Sequence, residues 1–190
     1  MSYFSRDELE HFEFKFLGSN VKISKRASIY DCNLIEIADN SRIDDFAVIS
    51  GKIKIGRNVL ITPQCLLAGG KEGLIIEDFC TFAYGVKIFT QSDDYSGETM
   101  TNSTVPTKFK NEKKLQTIVG RHSIIGAGSI IMPGANLSEG TSIGANSLVL
   151  NPTESWSIYA GSPAKKIKDR KKSLLKLEKQ YLIDIENDSI

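Results

Sequence analysis

Branched aliphatic residues recur at every sixth position, and no other feature constrains this chain as strongly. Ile37, Ile43, Ile49, Ile55, Ile61 and Leu67 form one unbroken run; Val119, Ile125, Ile131, Leu137, Ile143 and Val149 form a second. Roughly a quarter of the chain is Ile, Leu or Val, so two complete runs lie far outside chance. Four positions after each aliphatic residue the side chain is mostly small: Ser123, Ser129, Ala135, Thr141 and Ser147 in the second run, and Ser41, Ala47, Ile53, Val59 and Cys65 in the first. Glycine often follows the aliphatic residue directly, as at Gly56, Gly120, Gly126 and Gly144, which suits a backbone turning a corner. A period of six is neither helical nor plain strand alternation; it describes a short strand followed by a tight corner.

Three such units close a triangular turn, successive turns stack at about 4.8 Å, and the aliphatic residues become internal ladders. The expected architecture is all-β, a parallel β-helix of roughly five or six turns and about 25 to 30 Å in length. Ile23 with Ala27 and Ile29 with Asn33 extend the series upstream, with a two-residue slip between Ile35 and Ile37. Cys65 and Cys80 fall at the small inward position and read as packing residues.

The middle of the repeat is interrupted. Leu67 to Ile76 spans nine residues instead of six, the surplus lying in the glycine-rich stretch 68–73. Ile88 to Val119 spans 31 residues, which ejects a polar loop, 89–117, from one corner. Loops of that length in a compact repeat are usually functional. Upstream, Ser5-Arg6-Asp7-Glu8 matches a capping box ahead of Leu9 and Phe12, so 1–18 is expected to form a helical cap on one end of the column. The β-helix is expected over 19–163, followed by an amphipathic C-terminal helix over 164–190 with Ile167, Leu174, Leu175, Leu177, Tyr181 and Leu182 as its apolar residues.

Composition narrows the function. With 24 Lys and Arg against 23 Asp and Glu over 190 residues, the chain is not built to coat a polyanion, and no nucleic-acid partner is expected. No stretch approaches the roughly 18 apolar residues of a membrane span, and the opening residues lack the regions of a secretory signal, so a cytoplasmic protein is expected. Three cysteines are too few and too scattered for a disulfide framework or a zinc site. The only histidines are His11 and His122, so a three-histidine metal site within one chain is impossible and no metal is expected.

Residues 119–150, VGRHSIIGAGSIIMPGANLSEGTSIGANSLVL, and 158–170, IYAGSPAKKIKDR, carry a specific likeness. Through them the chain resembles the hexapeptide-repeat acyltransferases with a left-handed β-helix, near the galactoside, maltose and nodulation O-acetyltransferases and the sugar acetyltransferases of surface-polysaccharide pathways. The resemblance implies left-handed winding, a homotrimer, acetyl-CoA as co-substrate and active sites between neighbouring chains, with the long loop reaching across. It also implies a pantetheine groove beside Gly126, Ala127, Gly144, Ala145 and Ala160, and phosphate contacts from Lys165, Lys166 and Arg170. One departure stands out. Galactoside and maltose acetyltransferases carry a loop histidine, and this loop offers Ser92, Asp93, Asp94 and Tyr95 instead, with His122 just after it; that points to the polysaccharide branch.

Acyl transfer to a sugar hydroxyl wants a positioned base, for which His122 is the candidate; the other reading of His122 is an exposed corner residue without a role. Transfer to an amino sugar needs less help, and Asp93 and Asp94, with Tyr95, would then hold the acceptor. The same two aspartates could instead shape loop backbone, and Lys165 and Lys166 could be a solvated helix start. The leading expectation is therefore acetyl-CoA-dependent O-acetylation of a sugar or nucleotide-linked sugar, with N-acetylation of a nucleotide-linked amino sugar as the alternative. A non-catalytic β-helix scaffold subunit is the alternative of another class.

Overall fold

The computed structural model describes residues 2–188. Its body is a three-sided parallel β-solenoid. The first sheet stacks Phe16–Leu17, Ile35–Ile37, Ile53–Ile55, Leu74–Ile76 and Thr117–Val119. The second stacks Lys22–Ile23, Arg42–Ile43, Leu60–Ile61, Thr81–Phe82, Ile124–Ile125, Ser142–Ile143 and Ser157–Ala160, and the third stacks Ser28–Ile29, Val48–Ser50, Leu66–Ala68, Lys87–Phe89, Ile130–Ile131 and Leu148–Val149. Seven rungs in the second sheet exceed the five or six turns expected, because the N-terminal and final strands also join the stack.

The two hydrophobic series are the inward ladders. Ile43, Ile61, Phe82, Ile125 and Ile143 line one internal wall, and Ile49, Leu67, Ile88, Ile131 and Val149 another; all are buried. Each such side chain contributes about 1.5–3 kcal/mol through burial. The slip at Ile35 and Ile37 is resolved by the first sheet, whose strands turn two residues inward; Ile35 and Ile37, Ile53 and Ile55, and Leu74 and Ile76 are all buried. Cys65 and Cys80 are buried among them, and burial pushes the Cys80 thiol up to about 12, so it stays protonated and acts as a small packing group.

The corner glycines have a different purpose from the one expected. At Gly126 the backbone is not in the left-handed region; a Cβ there would lie 2.7 Å from the carbonyl carbon of Gly144 on the next coil. The left-handed residue comes two positions later, at Gly128. Glycine is thus required by the close approach of stacked coils.

The capping box is present: the Ser5 hydroxyl accepts from Glu8 N, the Glu8 carboxylate accepts from Ser5 N, and helix α1, Arg6–Glu10, buries Leu9. The C-terminal segment differs from expectation. Lys165–Asp169 is a strand, antiparallel to Ser157–Ala160, and helix α2, Leu174–Asp188, begins only after it. Among the described residues no helix is long and apolar enough to cross a membrane.

Candidate active site

Coil lengths locate the site. In the second sheet, Ile23 pairs with Ile43, Ile43 with Ile61, Ile61 with Phe82, Phe82 with Ile125 and Ile125 with Ile143, giving spacings of 20, 18, 21, 43 and 18 residues. Every residue in excess of 18 leaves the column at one edge, between the third and first sheets. The turn at Cys32–Leu34, the enlarged corner 68–73 and the long loop lie one above another there.

Together they enclose a cleft of about 660 Å³ lined by Asp31, Gly51, Gly70, Lys71, Glu72, Thr90, Ser92, Asp93, Glu112 and Lys114, among others. An antiparallel pair, Gln91–Ser92 with Lys113–Lys114, forms the stem of the loop. Glu112 fixes that stem. Its carboxylate takes Lys110 at 3.3 Å and Lys114 at 2.7 Å and accepts from the Gln91 amide at 2.8 Å, and Lys114 and Lys110 hold it below the usual carboxylate range.

The two adjacent loop aspartates have separate environments. Asp94 accepts from Ser96 N at 2.8 Å, the Ser96 hydroxyl at 3.0 Å and the Thr99 hydroxyl at 2.8 Å. These bonds, the Ser96 amide foremost, lower its pKa, and its oxygens are committed to donors within the loop, one backbone amide and two hydroxyls. Asp93 lines the cleft, and its carboxylate receives one long bond, from Asn102 N at 3.4 Å, so it keeps acceptor capacity. Tyr95 is 89% exposed at the outer loop and does not line the cleft.

His122 is not with them. It sits on the edge between the first and second sheets, in the left-handed conformation at φ 60°, and is buried rather than exposed. The reason is α2, which folds back over this corner. His122 Nε2 lies 2.9 Å from Glu178 Oε2, Arg121 pairs with the other oxygen of the same carboxylate, and the imidazole stacks on Phe79 with centroids 5.3 Å apart. Arg170 donates to the carbonyls of His122 at 2.7 Å and Gly140 at 3.0 Å. A single chain therefore does not unite His122 with Asp93, Asp94 or Tyr95.

The small residues occupy the third edge, between the second and third sheets. Gly126 and Ala127 lie one coil from Gly144 and Ala145, and a Cβ on Gly144 would meet the Ala160 methyl at 2.9 Å, so these residues form one narrow column. Lys165 is exposed nearby, opposite Ala160. Lys166 is less available: Asp169 and Glu154, each at 2.8 Å, hold its ammonium and raise its pKa. Sequence reasoning missed Asp31, Lys71, Glu72, Glu112 and Lys114. The signal was present, since the slip, the enlarged corner and the long loop are all insertions at the same corner of the repeat. Among the described residues no group of three or more His, Cys, Asp or Glu side chains is arranged to hold a metal ion.

A three-sided parallel solenoid of hexapeptide units, with a loop projecting over an edge cleft, is the architecture that the resemblance to hexapeptide-repeat acyltransferases implies. No family model matches the chain. Individual proteins do. A dTDP-4-amino-4,6-dideoxy-D-glucose acyltransferase of Escherichia coli is 39% identical over 184 residues, covering 95% of each chain. The structure of AntD, an N-acyltransferase from Bacillus cereus in complex with dTDP and 3-hydroxybutyryl-CoA, superposes with a TM-score of 0.94 at 40% identity, covering 97% of this chain and 98% of that one. The polySia-specific acetyltransferase NeuO shares the fold alone, at 23% identity and a TM-score of 0.61 over 80% of this chain and 72% of that one. This chain belongs to the hexapeptide-repeat sugar acyltransferases, and it is an enzyme of acyl transfer.

Proposed function

We propose that this enzyme transfers an acyl group from an acyl-CoA thioester to the amino group of a dTDP-linked amino-dideoxy sugar. The expectation of O-acetylation gives way to its alternative. The observation that carries the reading is near-full-length similarity to the E. coli dTDP-4-amino-4,6-dideoxy-D-glucose acyltransferase and to the N-acyltransferase AntD, the latter in structures that hold dTDP with CoA or an acyl-CoA. Local chemistry agrees. The cleft offers carboxylates and no imidazole, which suits an amine better than a hydroxyl, because a neutral amine attacks a thioester without prior removal of its proton.

Asp93 accepts a hydrogen bond from the acceptor amine and orients its lone pair toward the thioester carbonyl. As the C–N bond forms, the nitrogen becomes cationic and gives its proton to Asp93 or through water to solvent; the tetrahedral intermediate then expels CoA thiolate, leaving the amide. Asp94 shapes the loop that presents Asp93. On this reading the pantetheine arm lies along the column of Gly126, Ala127, Gly144, Ala145 and Ala160, with Lys165 at the phosphates; Lys166 stays with its carboxylates, and His122 anchors α2.

Cleft and column lie on different edges of the same chain, and both flank the third sheet. Its outer ladder is largely apolar: Val48, Leu66, Ile130 and Leu148 point outward, as does Phe89, with Lys87 as the charged rung between Leu66 and Ile130. Parallel strands that are apolar on both faces are ordinarily covered on both. Cyclic association of three copies through this sheet sets the cleft of one chain against the column of the next and completes the site. The product, an N-acylated nucleotide sugar, suits a glycosyl transfer that builds a surface polysaccharide.

The test is release of CoA from acyl-CoA in the presence of dTDP-4-amino-4,6-dideoxyglucose. Asp93→Asn should lower kcat/KM about a hundredfold. Turnover with hydroxyl sugars alone would return the assignment to O-acylation.

A further inference from the structure

The outer edge between the second and third sheets carries an aromatic side chain that nothing in the isolated chain explains. Tyr84 is 61% exposed; its carbonyl accepts from Gly128 N at 2.8 Å, and its side chain has no hydrogen-bond or ring partner among the described residues. Its surroundings are open, since a Cβ added to the neighbouring Gly85 would meet no atom within 4 Å. Tyr84 stands between Thr81–Phe82 and Lys87–Phe89, on the same turn of the solenoid that emits the long loop at the opposite end of the third sheet. Rotation about an axis parallel to the column leaves every residue at its own height. In a cyclic assembly through the third sheet, Tyr84 of one copy therefore meets the neighbouring copy's cleft at the level of Thr90 to Asp93.

We infer that Tyr84 is supplied in trans to the acceptor site, where its ring stacks on the pyrimidine of the nucleotide-linked sugar and sets acceptor affinity. The inference rests on the proposed function and adds one residue to it. A broad, rigid, exposed ring at a junction between copies is the side chain that a nucleobase requires, because stacking needs only a π face and little conformational entropy.

Tyr84→Ala should raise the KM for the nucleotide sugar roughly tenfold, within the range of base–aromatic stacking, and leave the KM for acyl-CoA and the melting temperature unchanged. Tyr84→Phe should restore most of the loss. Mixed trimers decide which chain supplies the ring. Chains carrying Asp93→Asn and chains carrying Tyr84→Ala are co-expressed with different tags, and doubly tagged trimers are assayed at acceptor concentrations far below KM. If Tyr84 acts in trans, every mixed trimer contains one site with both native residues, and the rate rises to about one third of wild type. A mixed rate no higher than that of the better parent, or an unchanged acceptor KM in Tyr84→Ala, overturns the inference while wild-type turnover keeps the functional reading intact. Wild-type protein without turnover overturns both.

Discussion

Asp93 and Asp94 are adjacent in sequence and alike in chemistry, yet one lines the cleft with acceptor capacity to spare and the other is saturated by loop donors. The difference has a measurable pH signature. Because the folded loop lowers the pKa of Asp94, its contribution to loop order is complete above the ordinary aspartate value and is lost as pH falls through the lowered one. Protease resistance of the loop should hold from neutrality down to about pH 4 and fail below it. Asp94→Asn should show the cleavable loop already at neutral pH. An equally resistant loop in that variant would remove the structural role given to Asp94.

At the scale of elements, corner and helix make contrasting demands. Gly126→Ala should destabilise the solenoid by about 2–3 kcal/mol, since the new methyl meets the backbone of the next coil and neither rung can retreat without losing its ladder bonds. Gly85→Ala should cost only about 1–2 kcal/mol, the penalty of a left-handed φ in open space. Urea unfolding of the two variants checks the order. Helix α2 is held through Glu178, whose side chain is 12% exposed and takes both Arg121 and His122, and through Tyr181, whose hydroxyl accepts from Asn58 and whose ring meets Phe79 edge-on. Glu178→Ala should loosen α2 and cost about 1–3 kcal/mol, seen as faster amide exchange in the helix. His122→Ala should loosen it likewise while keeping turnover within about threefold; loss of most turnover would restore His122 as the base.

The whole molecule is an incomplete catalyst if its cleft and its small-residue column face each other only between copies. Replacing Ile130 and Leu148 on the outer face of the third sheet by Asp should give a folded monomer by light scattering and reduce turnover more than tenfold. A trimer that survives both substitutions would place the contact on another face.

Much of this was legible from residues alone. The ladder positions, the capping box at Ser5 and the ejected loop are local or periodic facts, and periodicity survives folding because each coil repeats the environment of the last. The site was legible only in part. Asp93 was visible as a loop carboxylate, but its separation from Asp94 depends on which loop donors reach which oxygen. The burial of His122 was not legible because Glu178 lies 56 residues away, and only the return of α2 over the corner brings them together. Lys166 reads as a free cation until the strand Lys165–Asp169 sets it beside Glu154 and Asp169. The chain's own pattern of branched residues determined the column, its internal walls and the place where it breaks, since those follow from short-range geometry repeated. Which charges are spent on one another and which remain for a substrate was decided by tertiary contacts between distant segments, whose partners no local rule specifies.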